Sequence, residues 1–365
     1  MKASGKKLIV ILASVVLVVM LAASLALIFF NRNRAEDFYH ETAAERWQDR
    51  DTSCAEVSVY FEENSGIATP DIAYAVNNIT GRLKADNYLK AGQDGLNWFY
   101  AYSGSAAILL EHGPRQVFAE AYGVDGEFFK IHEMPLISGS YFESGEDRHV
   151  VVLDEFAVWE LFGAVDVAGM EVLIGNDFYT VAGVVKADDS KDALAAYGDR
   201  PKAYIPFDEL LSASPGLKAV NVQAVIPNPV DGYAKSVISD AFGIRNLSLE
   251  DLGEQKSPLN FENRIMVENT GRFGFLRLRE KLKYDRYIVM QTDGIRLPYW
   301  ENIARFEEER QLKRYRLAIA LMVPPLIAVF FTIIFMIKAI PFLKILRGVG
   351  KRLSRLKNRI IKENE

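Results

Sequence analysis

VVVLDEFAVWELFG (150–163) and VAGMEVLIGNDFYTVAGVV (167–185) hold the strongest local signals in the chain. HVVVL (149–153) is apolar and rich in Val, which predicts a short buried strand. Asp154 follows at the N-cap position, its carboxylate placed to accept an N–H of the first turn, so the next residues read as a helix. Gly163 ends that helix at C′, where a left-handed backbone is usual. MEVLI (170–174) and FYTVAGVV (178–185) read as strands joined by Gly175–Asn176–Asp177, residues that accept positive φ in a hairpin turn.

The same alternation continues on both sides. Upstream, AEVSVYF (55–61) reads as a strand, and a helix over 70–83 is opened by Thr69–Pro70–Asp71. Strand-like runs recur at 97–102, 106–111 and 116–124. Downstream, AVNVQAVI (219–226) gives way to a helix over 230–242 that Gly243 ends, and a strand is expected at 286–291 before a turn at Gly294. Short strands interleaved with helices and hairpins predict an α+β domain over 53–298. The stretch 256–300 carries no further recognisable pattern.

GVDGEFFKIHEMPLISGSYF (123–142), together with 150–163 and 167–185, resembles the periplasmic core domain of MacB-like ABC transporter subunits. In that family a "G-V-x-x-x-Y/F-F" step leads to "G-R-x-F", a "V-V-L-x-x-x-x-A-x-x-L-F-G" helix and a "G-x-x-I-x-I-x-G-x-x-F-x-V-V-G-V" hairpin. Gly139 and Gly163 fit as turn punctuation, Leu161 and Phe162 as helix anchors, and Gly183 as a close contact or bulge. YIPFDELL (204–211) is similar to the family's next "Y-x-P" step. The resemblance implies a fold without a catalytic signature, held outside the membrane on stalk helices. It also implies an ATPase and three further spans after the core domain. Here one apolar run follows, and no G-x-x-x-x-G-K-[ST] is present; GVGKRLS (348–354) has the wrong spacing and Arg352 where Ser or Thr is needed. By resemblance, a separate ABC ATPase and a multi-span permease chain are the expected partners.

Two uncharged runs bracket the α+β region. Residues 8–30 are long enough, at about 1.5 Å per residue, to cross a hydrocarbon core of about 30 Å, and 317–337 form a second span despite Pro324 and Pro325. A cleaved signal peptide would have a shorter apolar region, so 8–30 is expected to remain as an anchor. The tail 1–7 carries three Lys and no acid, and 338–365 carry nine basic residues against Glu363 and Glu365. With a chain total of −5, the segment 31–316 is left at −15. Cytoplasmic flanks collect Lys and Arg, so both termini are expected inside the plasma membrane and the acidic middle outside. Residues 31–52 and 299–316, with Tyr39, Ala43, Trp47 and with Ile303, Phe306 at helical spacings, are expected to extend the spans as a two-helix stalk. After Pro341 a basic amphipathic helix is expected, its Lys344, Arg347, Lys351, Arg352, Arg355, Arg359 and Lys362 facing membrane lipids or a cytoplasmic partner.

The chemistry of catalysis is not legible. Cys54 is alone, which excludes an intrachain disulfide and a multi-Cys metal cage. His132–Glu133 lacks the second imidazole of a zinc helix, and Pro135 opposes the helix itself. No G-x-S-x-G is present, His112 and His149 read as exposed loop residues, and Glu143, Glu146, Asp147 and Asp188, Asp189, Asp192 read as solvated turns. Asn78-Ile-Thr80 and Asn246-Leu-Ser248 fit the glycosylation pattern, which arises often by chance. No cofactor, metal or nucleic acid is expected. The sequence is read as a non-enzymatic membrane subunit of a MacB/FtsX-type ABC system, or alternatively as a membrane-tethered sensor or binding module without a transporter.

Overall fold

The computed structural model describes residues 2–36, 42–47, 53–62, 67–89, 98–143, 145, 148–191, 193–194, 198–244, 264–275, 277–278, 295 and 297–339. Its contacts divide the chain into two units, one of residues 1–33 with 313–365, the other of residues 34–312.

The first unit holds most of α1 (Lys2–Glu36) and the C-terminal part of α8 (Tyr299–Ala339). Each contains an apolar run long enough to cross a membrane, and Pro324 and Pro325 sit inside α8. The facing residues recur every three or four positions. Leu17, Met20, Ser24, Leu27 and Asn31 are buried or half-buried on α1, as are Tyr315, Ala318, Met322 and Pro325 on α8. The Ser24 hydroxyl donates to the Ala318 carbonyl at 2.8 Å, and Arg314 donates to Asn31 while stacking its guanidinium over Phe30. Most of the remaining Leu, Ile, Val and Phe side chains are exposed, the composition of a lipid-facing surface.

The second unit is built on a mixed sheet. In chain order its described elements are α2 (Ala43–Trp47), β1 (Cys54–Phe61), α3 (Thr69–Ala85), β2 (Phe99–His112), β3 (Arg115–Gly126), α4 (Phe128–Ile131), β4 (Leu136–Gly139) and β5 (Val150–Asp154). There follow α5 (Glu155–Leu161), β6 (Glu171–Ile174), β7 (Asp177–Val185), β8 (Lys202–Pro206), α6 (Phe207–Ala213), β9 (Asn221–Pro227), α7 (Tyr233–Phe242), β10 (Arg264–Glu268) and the start of α8. The strands lie in the order β10-β1-β9-β2-β3-β8-β5-β7-β4, with β6 beside β2 and β7. Among the described strands only β3–β8 and β5–β7 pair in parallel. This is an α+β architecture with the predicted strand, capped helix and hairpin in place. The Asp154 carboxylate accepts the Ala157 N–H at 2.9 Å, and Gly163 has φ of 70°.

Three glycines show why particular positions are fixed. A Cβ on Gly183 would lie 2.4 Å from the Ser140 carbonyl oxygen, and the β5–β7 register skips one residue there, between Val181 and Gly183. Gly139 has φ of 73° and faces Gly183 across β4–β7. Gly104 corrects an expectation, because the runs at 97–102 and 106–111 are one strand, β2, rather than two. Ser103–Gly104–Ser105 is not a turn; a Cβ on Gly104 would come within 2.4 Å of the Lys218 carbonyl, so glycine serves close packing in mid-strand.

The sheet's two faces are covered differently. On one face α3 and α7 seal β1, β9 and β2 with Ile72, Ile79, Leu83, Val237, Ile238 and Phe242. Further along that face α5 and α6 cover β3, β5, β7 and β8. On the other face lie α2, α4 and the first turn of α8, brought together around Phe99, Tyr122, Phe128, Tyr204 and Trp300.

Candidate functional site: buried charges at the start of the last helix

Alternation along β1 places Ala55, Val57, Val59 and Phe61 on the apolar face and Glu56, Ser58 and Tyr60 on the other. All three polar side chains are buried. Beyond β10 the chain turns at Gly271, whose φ is 60°, and brings Asn269 and Arg272 beneath this face. Glu301, Arg305 and Glu308 are spaced by four and three, which puts them on one side of α8. The Arg272 guanidinium reaches them from the turn. Its Nη1 donates to Glu301 Oε2 at 2.6 Å and its Nη2 to Glu301 Oε1 at 2.9 Å, while its Nε lies 2.9 Å from Glu308 Oε1. Arg305 Nε donates to Glu301 Oε1 at 2.6 Å, and the Tyr60 hydroxyl donates to Glu301 Oε2 at 3.1 Å. Two arginines thus balance two glutamates, all at most 5% exposed.

Glu56 sits next to this cluster. Its Oε2 accepts the Ala43 N–H at 3.1 Å, and its Oε1 accepts from Asn269 Nδ2, which also donates to the Ser58 hydroxyl. The Gly271 N–H donates to Glu45 Oε1 at 2.6 Å, so α2 is tied to the turn after β10 from two directions. Burial pushes the Glu56 carboxyl up to about 7; the Asn269 hydrogen bond works against that rise and the nearby Glu45 charge adds to it.

An aromatic group follows along the same face. Trp300 is 2% exposed and lies within 5.6 Å, ring to ring, of Tyr122, Phe128, His132 and Tyr299. His132 Nε2 donates to Gln223 Oε1 at 2.6 Å, a buried packing histidine rather than half of a zinc helix. Tyr204 and Tyr299 share a hydrogen bond of 2.6 Å, and burial first, then Tyr299, raises the Tyr204 phenol well above its usual range. Burial raises Asp154 to about 6 against the opposing Lys202 ammonium 3.7 Å away. Farther along the face a cleft of about 300 Å³ is lined by Ser103, Ser105, Glu120, Tyr122, Lys218 and Pro298, among others. Among the described residues no group of three or more His, Cys, Asp or Glu gathers at a metal-binding spacing.

The residues singled out in sequence fall as follows. Lys344, Arg347, Lys351, Arg352, Arg355, Arg359 and Lys362 lie outside the described residues, as do Tyr39 and the strand expected at 286–291. Ala43 is fully buried against the sheet, and Trp47 is half-exposed with its edge on Phe99. Ile303 is buried with Ala304, Ala193 and Phe273, and Phe306 is half-buried. The stretch 299–316 is helical as expected, but from Trp300 to Leu312 its sides are mostly buried rather than solvated. His112 is not a free loop residue; it ends β2, with Nδ1 at 2.9 Å from the Glu171 carbonyl oxygen. His149 is exposed with φ of 51°.

Sequence reading missed Glu56, Arg272 and the Glu301–Arg305–Glu308 face. The spacing of the last three was visible, but in ENIARFEEER (301–310) a charge-rich run reads as solvent-facing. Arg272 gave no signal, because its partner is 29 residues away.

The sequence profile of the MacB-like periplasmic core domain matches residues 8–235. Among solved structures, the chain is similar to the periplasmic region of MacB from Actinobacillus actinomycetemcomitans, at 15% identity and a TM-score of 0.40, covering 63% of this chain and 93% of that one. It is also similar to the extracellular domain of the noncanonic ABC-type transporter YknZ from Gram-positive bacteria, at 14% identity and a TM-score of 0.37, covering 58% and 99%. A domain of a permease protein from Porphyromonas gingivalis gives 11% identity and a TM-score of 0.31, covering 59% and 88%. No curated protein matches the sequence.

Proposed function

Because the chain belongs to the MacB-like periplasmic core domain family, we propose that it is a non-enzymatic membrane subunit of a MacB-type ABC transport system. Its sheet domain binds a partner outside the cytoplasm, and its helices pass that event to a separate cytoplasmic ATPase. One uninterrupted helix, Tyr299–Ala339, supports this most directly: it carries the buried charges at 301–308 and the apolar run at 317–337. A helix gripped by paired charges transmits displacement better than one seated on apolar contacts alone, because sliding by one residue separates every partner. Signalling of this kind needs two arrangements that both ends bias.

The basic flanks support a reading with both termini cytoplasmic and with Lys344, Arg347, Lys351, Arg352, Arg355, Arg359 and Lys362 against anionic lipid or the ATPase. In this reading a separate ATPase supplies the energy; the 365 residues themselves contain no P-loop. The test is gentle solubilisation from native membranes followed by affinity purification. Recovery with an ABC ATPase and a multi-span permease is expected. Recovery with neither, combined with a signalling defect but normal transport after deleting 342–365, overturns the transporter assignment in favour of a tethered sensor.

A further inference from the structure

The two edges of β2 are used unequally. Toward β3 it pairs from Ala101 opposite Gly126 to His112 opposite Arg115. On its other edge it pairs with β9 only over Phe99–Ser103 and with β6 only at Leu110 and Glu111. A notch over 104–109 is left between them. The Tyr100 carbonyl accepts from Glu127 N–H on the β3 side, whereas the Ser103 carbonyl accepts from Val220 N–H on the β9 side. Alternation then turns the peptide groups of Ser105 and Ala107 into the notch. Their two N–H and two C=O groups have no hydrogen-bond partner there among the described residues. Ala107 is exposed and Ser105 half-buried.

The walls of the notch define what fits. On one side of the sheet Ala106 and Ile108 are half-buried beside Leu217, at the rim of an apolar cluster. On the other side lie Ser105 and Glu120, opening into the 300 Å³ cleft. The loop through Lys218 closes one end against Gly104, and the Gly175–Asn176 turn after β6 stands at the other. At about 3.3 Å per residue the notch is roughly 20 Å long.

We infer that this notch binds an extended segment of a partner polypeptide as an added strand, apolar on alternate residues and polar between. Unpaired N–H and C=O groups repeating every second residue are complementary to one common structure, another extended backbone. A β2-to-β2 pairing with a second copy does not fit, since that edge is set back behind β9 and β6 in each copy. The added strand runs antiparallel to β2, as both flanking strands do. The inference deepens the partner-binding role proposed above and rests on it.

The test uses the full chain in lipid nanodiscs and, as probe, a synthetic hexapeptide of alternating Val and Thr. Amide exchange at Ser105 and Ala107 is fast in the free protein and slows at least about tenfold with the peptide. In antiparallel pairing the residues facing Ser105 and Ala107 donate into the notch, and they share the polar side. N-methylation of the Thr amides therefore abolishes binding, and N-methylation of the Val amides leaves it. Ala107→Pro removes one N–H on the notch side only, and weakens binding about tenfold while the β2–β3 ladder persists. Should that variant not fold, the methylated peptides decide on the unaltered protein. Unchanged exchange at Ser105 and Ala107, or equal sensitivity to the two methylated peptides, overturns the inference. Co-purification reads the transporter assignment and amide exchange reads the notch, so each fails separately.

Discussion

Both faces of the sheet bury large side chains, yet they are stabilised by opposite means. Beneath α3 and α7 the contacts are Ile72, Ile79, Leu83, Val237 and Ile238 against Val57, Val59 and Val222, with no charge among them. Beneath α2, α4 and the first turns of α8, Trp300 and Tyr204 share the space with Glu56, Ser58, Gln223, His132, Arg272 and Glu301. Apolar packing is tolerant of small shifts, because its attraction has no direction. Paired charges specify one register, and they are costly when any partner is lost. The tolerant face secures the domain, and the demanding face fixes where α8 begins.

Arg272→Met is expected to separate the two faces most sharply. It leaves Glu301 and Glu308 buried with one cation between them, a loss of about 3–5 kcal/mol read as a fall in denaturant midpoint. Replacing Arg272, Glu301, Arg305 and Glu308 together by Met and Leu should recover most of that loss. If the fourfold variant is as unstable as Arg272→Met alone, the cluster is not a balanced set. On the apolar face Leu83→Ala should cost about 2–5 kcal/mol through its cavity. That cost should not change between pH 5 and 8, and a clear change would show that the face is not as charge-free as described.

Glu56 gives the smallest effect and the most specific one. Its carboxyl is pushed from 4.5 up to about 7 in the folded protein. Between those values the native state holds a proton that the unfolded chain releases, so its contribution is fully present below 4.5 and is lost as pH rises through about 7. A loss of up to about 3 kcal/mol across that interval is expected. Thermal melts of the wild type and of Glu56→Gln at pH 5 and 8 measure it. Parallel pH profiles for the two proteins would remove Glu56 from the account.

Much of the fold was legible because its signals are local. The Asp154 cap, the Gly163 terminus and the 175–177 turn depend on residues next to them in sequence, and each stands where expected. Strand β2 was harder to read. Ser103–Gly104–Ser105 has a turn's composition, and it is the pairing with β3, Gly104 opposite Gly123, that makes it a strand interior. The charge cluster was harder still. Nothing between Arg272 and Glu301 in the sequence says that they meet, and ENIARFEEER follows the same helical spacing whether solvent or protein surrounds it.

The sequence by itself determined the two apolar runs, the charge segregation, the alternation of strand and helix, and the family. The first three follow from composition and short-range periodicity, which water and hydrocarbon read residue by residue, and the family from the resemblance of the motifs at 123–142, 150–163 and 167–185. Only the tertiary structure decided which polar residues are buried, which charges neutralise one another, and which edge of β2 stays open. Those outcomes depend on pairings between distant segments, and a side chain's solvation is set by what the rest of the chain places beside it.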